Sequence, residues 1–134
     1  MSGVTVAGKL GPTGLAVALE ARQHRFLADE PAAQGGQDSG PAPFELVLGG
    51  LAACTAATLR MYAQRKSWPL LGVDVEVEME SGPAGRTMIH RRLKLQGQLS
   101  GEQRERLLHI ANACPAHRLL TQGADIDTVL EETR

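Results

Sequence analysis

The sequence predicts an α+β domain in which antiparallel strand pairs surround one long apolar helix. Three observations predict it. Val73, Val75, Val77 and Met79 alternate with Asp74, Glu76, Glu78 and Glu80, the period-two signature of a half-buried strand with an acidic outer face. Pro43 to about Lys66 is apolar or small on nearly every side and ends in the basic residues Arg60, Arg65 and Lys66. That pattern predicts a buried helix whose basic end complements the helix dipole. Finally, Gly- and Pro-containing turns separate short alternating runs, as hairpins require.

The elements follow in order. Val4, Val6 and Leu10 alternate with small or polar residues, as do Leu15, Val17 and Leu19, with Gly11-Pro12-Thr13-Gly14 between them as the turn. His24 to Ala28 extends this sheet as a third short strand. Residues 31–43 contain Pro31, Gly35, Gly36, Gly40, Pro41 and Pro43 and read as a surface loop. Pro43 then suits the first turn of the long helix, where its missing N–H is not needed, and Trp68-Pro69 stops it. After the acidic strand, Ser81 to Gly85 is a turn. Ile89, Leu93, Leu95 and Leu99 mark the return strand, with Arg91 the odd member of its apolar face. Ser100 and Gln103 form a capping-box start, and Leu107, Leu108, Ile110 and Ala111 give the second helix its core face. Pro115 ends that helix. A last short helix is expected over roughly Asp125 to Glu132. With 134 residues the chain is read as one domain, 1–134.

Composition excludes several classes. A formal charge of −1 gives no basic excess for nucleic acid or an anionic membrane. Aromatics make up only 3%, too few for a base-stacking platform. No N-terminal stretch combines a basic start with a long apolar run, so no signal peptide is expected. No uninterrupted run of about 18 apolar residues suggests a membrane span. Two cysteines are too few for a disulfide-dense secreted scaffold. The reading is cytoplasmic.

Those two cysteines carry the chemistry. Cys54 and Cys114 lie in separate apolar, small-residue contexts. Two thiols on separate elements can run a redox cycle in which one is oxidised and the other resolves it as a disulfide. A buried free cysteine also serves simply as a small hydrophobe. Cys114 and His117, with His109 nearby, have the spacing of a zinc pair, but a second pair is missing. Cys–His hydrolysis has no accompanying oxyanion-hole signal, and no Gly-x-Ser-x-Gly elbow is present. Gly35-Gly36 and Gly49-Gly50 lack the lysine and spacing of a phosphate loop.

The segment Gly40 to Leu48 leading into Leu51-Ala52-Ala53-Cys54-Thr55 resembles the OsmC/Ohr family, the osmotically induced protein C and organic hydroperoxide resistance proteins. Ile110-Ala111-Asn112-Ala113-Cys114-Pro115-Ala116-His117 resembles the same family. So do Asp29-Glu30-Pro31, Gly35-Gly36 and Thr58 to Ala63, in the manner of its OsmC-like branch. The resemblance implies an intertwined homodimer and a thiol-dependent peroxidase acting on organic hydroperoxides in oxidative-stress defence. Cys54 would be the peroxidatic cysteine and Cys114 the resolving one. No metal or organic cofactor is implied, only an external thiol reductant of lipoyl type. The alternative on the same fold is a non-catalytic redox-sensing or ligand-binding module.

The resemblance also implies an arginine, held by a glutamate, beside the peroxidatic thiol. Desolvation disfavours a thiolate, so a buried reactive cysteine needs a nearby cation. Glu45 matches the OsmC-like pattern, whereas the Ohr branch places its acid where this chain has Phe44. Nine residues put Glu45 on the far side of a straight helix from Cys54, about 13 Å along its axis. Either Gly49-Gly50 breaks the helix or Glu45 acts by orienting an arginine; a first-turn acid favoured by the dipole is the plain alternative. Arg25 is the first choice of arginine and Arg22 the second, being the only ones before the loop. Arg60, about 120° around the helix from Cys54, reads as supporting.

Overall fold

A computed structural model describes residues 3–132. The chain divides into two compact units, one ending at Gly50 and the other beginning at Leu51. In the first, β1 (Ala7–Leu10), β2 (Val17–Ala21) and β3 (His24–Ala28) form an antiparallel sheet in that order. Leu10 pairs with Val17 and Ala21 with His24, so the β2–β3 turn is only Arg22-Gln23. The third strand is therefore present as the sequence suggests.

The Gly/Pro-rich loop that follows is ordered by one carboxylate. Asp29 is 2% exposed. Its Oδ1 accepts from the Glu30 N–H at 2.8 Å, and its Oδ2 from Gln37 N, Ser39 N and Ser39 Oγ at 3.2, 3.1 and 2.7 Å. The loop then passes so close to β3 that a Cβ on Gly40 would lie 2.4 Å from the Leu27 carbonyl oxygen. Only a residue without a side chain fits there.

Helix α1 (Pro43–Lys66) runs through the boundary at Gly50 without a break. Gly49-Gly50 therefore does not interrupt it. Its residues are apolar all round, yet those fully buried form a single stripe, Leu51, Thr55, Leu59 and Ala63, at four-residue spacing. Phe44, Val47 and Met61 are exposed. This corrects the expectation of a helix buried on every side: one chain covers one stripe. By length and composition alone α1 could cross a membrane, with mean hydropathy 1.4 over an 18-residue window. Uninterrupted apolar runs miss it because glycine and threonine are interspersed.

In the second unit β4 (Gly72–Ser81) and β5 (Thr87–Gln96) pair antiparallel over their whole length. The register explains the acidic outer face. Glu76, Glu78 and Asp74 lie opposite Arg92, His90 and Lys94, and Arg92 forms an ion pair with Glu76. On the inner face Met79, Val77 and Val75 lie opposite Ile89, Arg91 and Leu93. Helix α2 (Gly101–Ala111) starts at the expected capping box, Gln103 N–H donating to Ser100 Oγ and Ser100 N–H to Gln103 Oε1. Leu59, Ala63, Leu70, Leu107 and Ala111 make the buried core, with Trp68, Leu93, Leu95 and Ile110 packed on it.

Two expectations near the C-terminus are corrected. Pro115 does not end α2, which stops at Ala111; it opens a further helix, α3 (Pro115–Gln122). Proline at the first helical position loses no needed hydrogen bond. The helix expected over Asp125 to Glu132 is absent. Ile126, Val129 and Leu130 are 72% or more exposed, so nothing covers an apolar face there, and a short helix without such packing is unstable.

The Asp29 contacts predict a pH dependence. The Ser39 hydroxyl and N–H, aided by Glu30 and Gln37, outweigh burial and hold its carboxyl below the ordinary value of 3.8. Its stabilisation is thus complete well above that value and fades as pH falls through it. Asp29→Asn is expected to lower the melting temperature near neutral pH, with the gap to wild type closing below about pH 4. Calorimetry showing a gap independent of pH would contradict this.

Candidate functional site: a dithiol beside a half-buried arginine

The site is built within the second unit from α1, β5 and α3. Cys54 lies one residue from the buried stripe of α1 and is half-buried, its Sγ 4.0 Å from Thr58 Oγ1. Thr55, the next residue, is fully buried within the stripe. Cys114 is fully buried and is the N-cap of α3, where its Sγ accepts the backbone N–H of His117 at 3.3 Å. Its sulfur also lies 3.8 Å from Thr55 Oγ1, the hydroxyl of the residue next to Cys54. The fold therefore brings together the two cysteines that the sequence singles out.

Arg91 joins them. The apolar face of β5 carries Ile89, Leu93 and Leu95, and Arg91 occupies the same face, half-buried. Its Nη1 donates to Thr55 Oγ1 at 3.0 Å, and its Nη2 to Asn112 Oδ1 at 3.0 Å and to His117 Nδ1 at 3.1 Å. A guanidinium only donates, so Nδ1 of His117 is the acceptor and the ring proton sits on Nε2. Among the described residues no ion pair includes Arg91.

These contacts set the ionisation of the cluster. Burial pushes the Cys114 thiol up, but the His117 N–H, the Thr55 hydroxyl, Cys54 and the charge of Arg91 together bring it below the ordinary thiol value. Burial first, then Arg91, lowers His117 and keeps its imidazole neutral. Beside the cluster Leu51, Ile89, Leu93, Leu108 and Leu120 line a cavity of about 350 Å³ that Arg91, Asn112 and His117 also face.

The other sequence-predicted residues have different partners. Arg25 is largely exposed and pairs with Glu20 across the β2–β3 register, Nε to Oε2 at 3.0 Å. Arg22 holds the β2–β3 turn with φ of 56° and donates to Gln23 Oε1 at 3.3 Å. Glu45 accepts the Ala42 N–H at 2.7 Å, the position of a first-turn acid that satisfies a free helix N–H. Arg60 donates to the carbonyls of Leu70 and Leu71 at 2.6 and 3.1 Å, tying the chain after α1 back to the helix. Among the described residues no three His, Cys, Asp or Glu side chains converge as a metal site. Sequence reasoning misses Arg91 as a site residue. The available signal was its place as the one charge on an otherwise apolar strand face.

The site is thus two free thiols, one partly accessible and one buried, beside a half-buried arginine on an α+β fold. The model of the OsmC-like protein family matches residues 36–129, across the boundary of the two units. The chain belongs to the OsmC-like family. No curated protein matches it. Among solved structures it is similar to the OsmC-like protein of Mycoplasma pneumoniae, with TM-score 0.71, 20% identity, and 90% and 88% of the two chains covered. It is also similar to the organic hydroperoxide resistance protein OhrB of Bacillus subtilis, with TM-score 0.62, 22% identity, and 91% and 92% covered. An organic hydroperoxide resistance protein of Legionella pneumophila aligns with TM-score 0.63 at 20% identity over 90% of each chain. These likenesses establish the shared fold.

Proposed function

We propose that this chain is a thiol-dependent peroxidase that reduces hydroperoxides, organic ones in preference, in oxidative-stress defence. The observation that carries the reading is a half-exposed thiol, Cys54, next in sequence to Thr55, whose hydroxyl lies 3.8 Å from the sulfur of a buried second thiol, Cys114. Membership of a fold shared with two proteins named for organic hydroperoxide resistance supports it.

The chemistry balances without a resident cofactor. The Cys54 thiolate attacks the O–O bond; an S–O bond forms, the O–O bond breaks, and the alkoxide leaves as alcohol after taking a proton. Cys54 is then a sulfenic acid, oxidised by two electrons. The Cys114 thiolate attacks its sulfur, an S–S bond forms and hydroxide departs. An external thiol reductant, of lipoyl type by family resemblance, reduces the disulfide by exchange. The cytoplasm, where thiols stay reduced, is the proposed compartment. By the same resemblance Arg25 and Glu45 are the proposed arginine–glutamate pair, although within this chain each has another partner, Glu20 and the Ala42 N–H; Arg22 and Arg60 are proposed as supporting.

A homodimer belongs to this proposal. α1 is apolar all round but only one stripe of it is buried in a single chain. Apolar surface of that extent on a soluble domain calls for a lid, and a second copy would supply it. Light scattering at micromolar concentration is expected to report a dimer; a stable, well-folded monomer would contradict it.

The function is tested by variant turnover. Cys54→Ser is expected to abolish consumption of tert-butyl hydroperoxide. Cys114→Ser is expected to complete one oxidation and leave a sulfenic acid visible by mass spectrometry after dimedone capture. Recycling of Cys114→Ser at the wild-type rate would remove Cys114 from the resolving role. A redox sensor would form the disulfide without sustained turnover in the presence of a dithiol, which separates it from a peroxidase.

A further inference from the structure

We propose that Arg91 and Thr55 are positioning residues for disulfide closure: Arg91 fixes the Thr55 oxygen, and the Thr55 hydroxyl swings its hydrogen from the Leu51 carbonyl onto the Cys114 sulfur when that sulfur becomes the nucleophile. The proposal rests on the two-cysteine reading above for its biological role, but the device itself follows from hydrogen-bond inventory.

A threonine hydroxyl has one hydrogen to give and two lone pairs to receive. Thr55 Oγ1 has three neighbours: Leu51 O at 2.7 Å, Arg91 Nη1 at 3.0 Å and Cys114 Sγ at 3.8 Å. The carbonyl can only accept and the guanidinium can only donate. The hydroxyl hydrogen therefore goes to Leu51, Arg91 fills one lone pair, and the second lone pair is open to the Cys114 S–H. All three partners are satisfied while Cys114 is a thiol.

Loss of the Cys114 proton breaks this arrangement. The sulfur becomes acceptor-only, retains the His117 N–H at 3.3 Å, and requires a further donor in a site without access to water. The Thr55 hydroxyl supplies it by rotation about its Cβ–Oγ1 bond, the oxygen staying where Arg91 holds it. The Leu51 carbonyl loses little, because it keeps the helical backbone hydrogen bond from Thr55 N–H. Arg91, in no ion pair among the described residues, then adds its charge in favour of the thiolate.

Every titratable group facing Cys114 takes a part. From α1 comes Cys54, the electrophile after oxidation. From β5 comes Arg91, always charged. From α3 comes His117, neutral and turned toward Arg91 through Nδ1. None adds negative charge. The closure step itself forms S–S, breaks the Cys54 S–O bond and releases hydroxide, which takes a proton to become water.

The experiment separates this device from the peroxidase reading. In the reduced full-length protein Cys54 is loaded as a mixed disulfide with the coloured nitrothiobenzoate thiol. Its release by Cys114 is followed by absorbance across pH, with no peroxide present. Wild type is expected to release it with a low-pH midpoint. Thr55→Val should move the midpoint to higher pH and slow release at the acidic end by about tenfold or more, one pKa unit. Thr55→Ser should restore the profile. Arg91→Met should shift it in the same direction as Thr55→Val, and Arg91→Lys partly, since a lysine keeps charge but not the planar fork. Should Arg91→Met fail to fold, the Thr55 pair alone decides. Release by Thr55→Val at the wild-type rate and midpoint overturns the proposal. If peroxide turnover fails but this profile holds, the peroxidase reading falls and the relay stands.

Discussion

The contact between Arg91 and the Thr55 hydroxyl joins β5 to α1 at the point where both cysteines meet. A guanidinium on the inner face of a two-stranded sheet loses part of its hydration, so its hydrogen bonds must replace water. The fold provides Thr55, Asn112 and His117 as acceptors, from the buried stripe of α1, the end of α2 and the first turn of α3. The same charge disfavours protonation of His117 and favours ionisation of Cys114. Two thiols in an apolar core without it would be small hydrophobes; beside it they are chemically distinct from each other.

That distinction fits a division of labour. Cys54 is the half-exposed thiol, and Cys114 is sealed from solvent. In the proposed cycle, a buried nucleophile whose electrophile is Cys54 on α1 avoids wasteful encounters with other oxidants. Pro115 contributes by starting α3 immediately after Cys114, so that the sulfur rather than a hydroxyl caps the His117 N–H. The N-cap position, usually taken by oxygen-bearing side chains, is here given to Cys114.

The strand pattern, the capping box and the long helix were legible because each rests on a local rule: alternation, reciprocal capping, apolar length. The cysteines were legible from their contexts. Arg91 was not, although it stood out as a charge on an apolar face, because periodicity states which face a residue occupies and not what lies opposite. Its partners come from three other segments of the chain. The expectation that Pro115 ends α2 fails for a related reason: proline after a helix stops it, proline at the first position starts the next, and the choice depends on whether a cap is available. Glu45 and Arg25, prominent by resemblance, make their contacts in the first unit with Ala42 and Glu20.

The most direct test of the account is the ionisation of Cys114 itself. In reduced protein carrying cysteine labelled with carbon-13 at Cβ, the two cysteine signals can be assigned with Cys54→Ser and followed by NMR as pH is raised. Cys114 is expected to titrate below the free-thiol value of about 8.5, and Arg91→Met to move its midpoint upward. A Cys114 that titrates at or above that value in the wild type, unmoved by loss of Arg91, would contradict it.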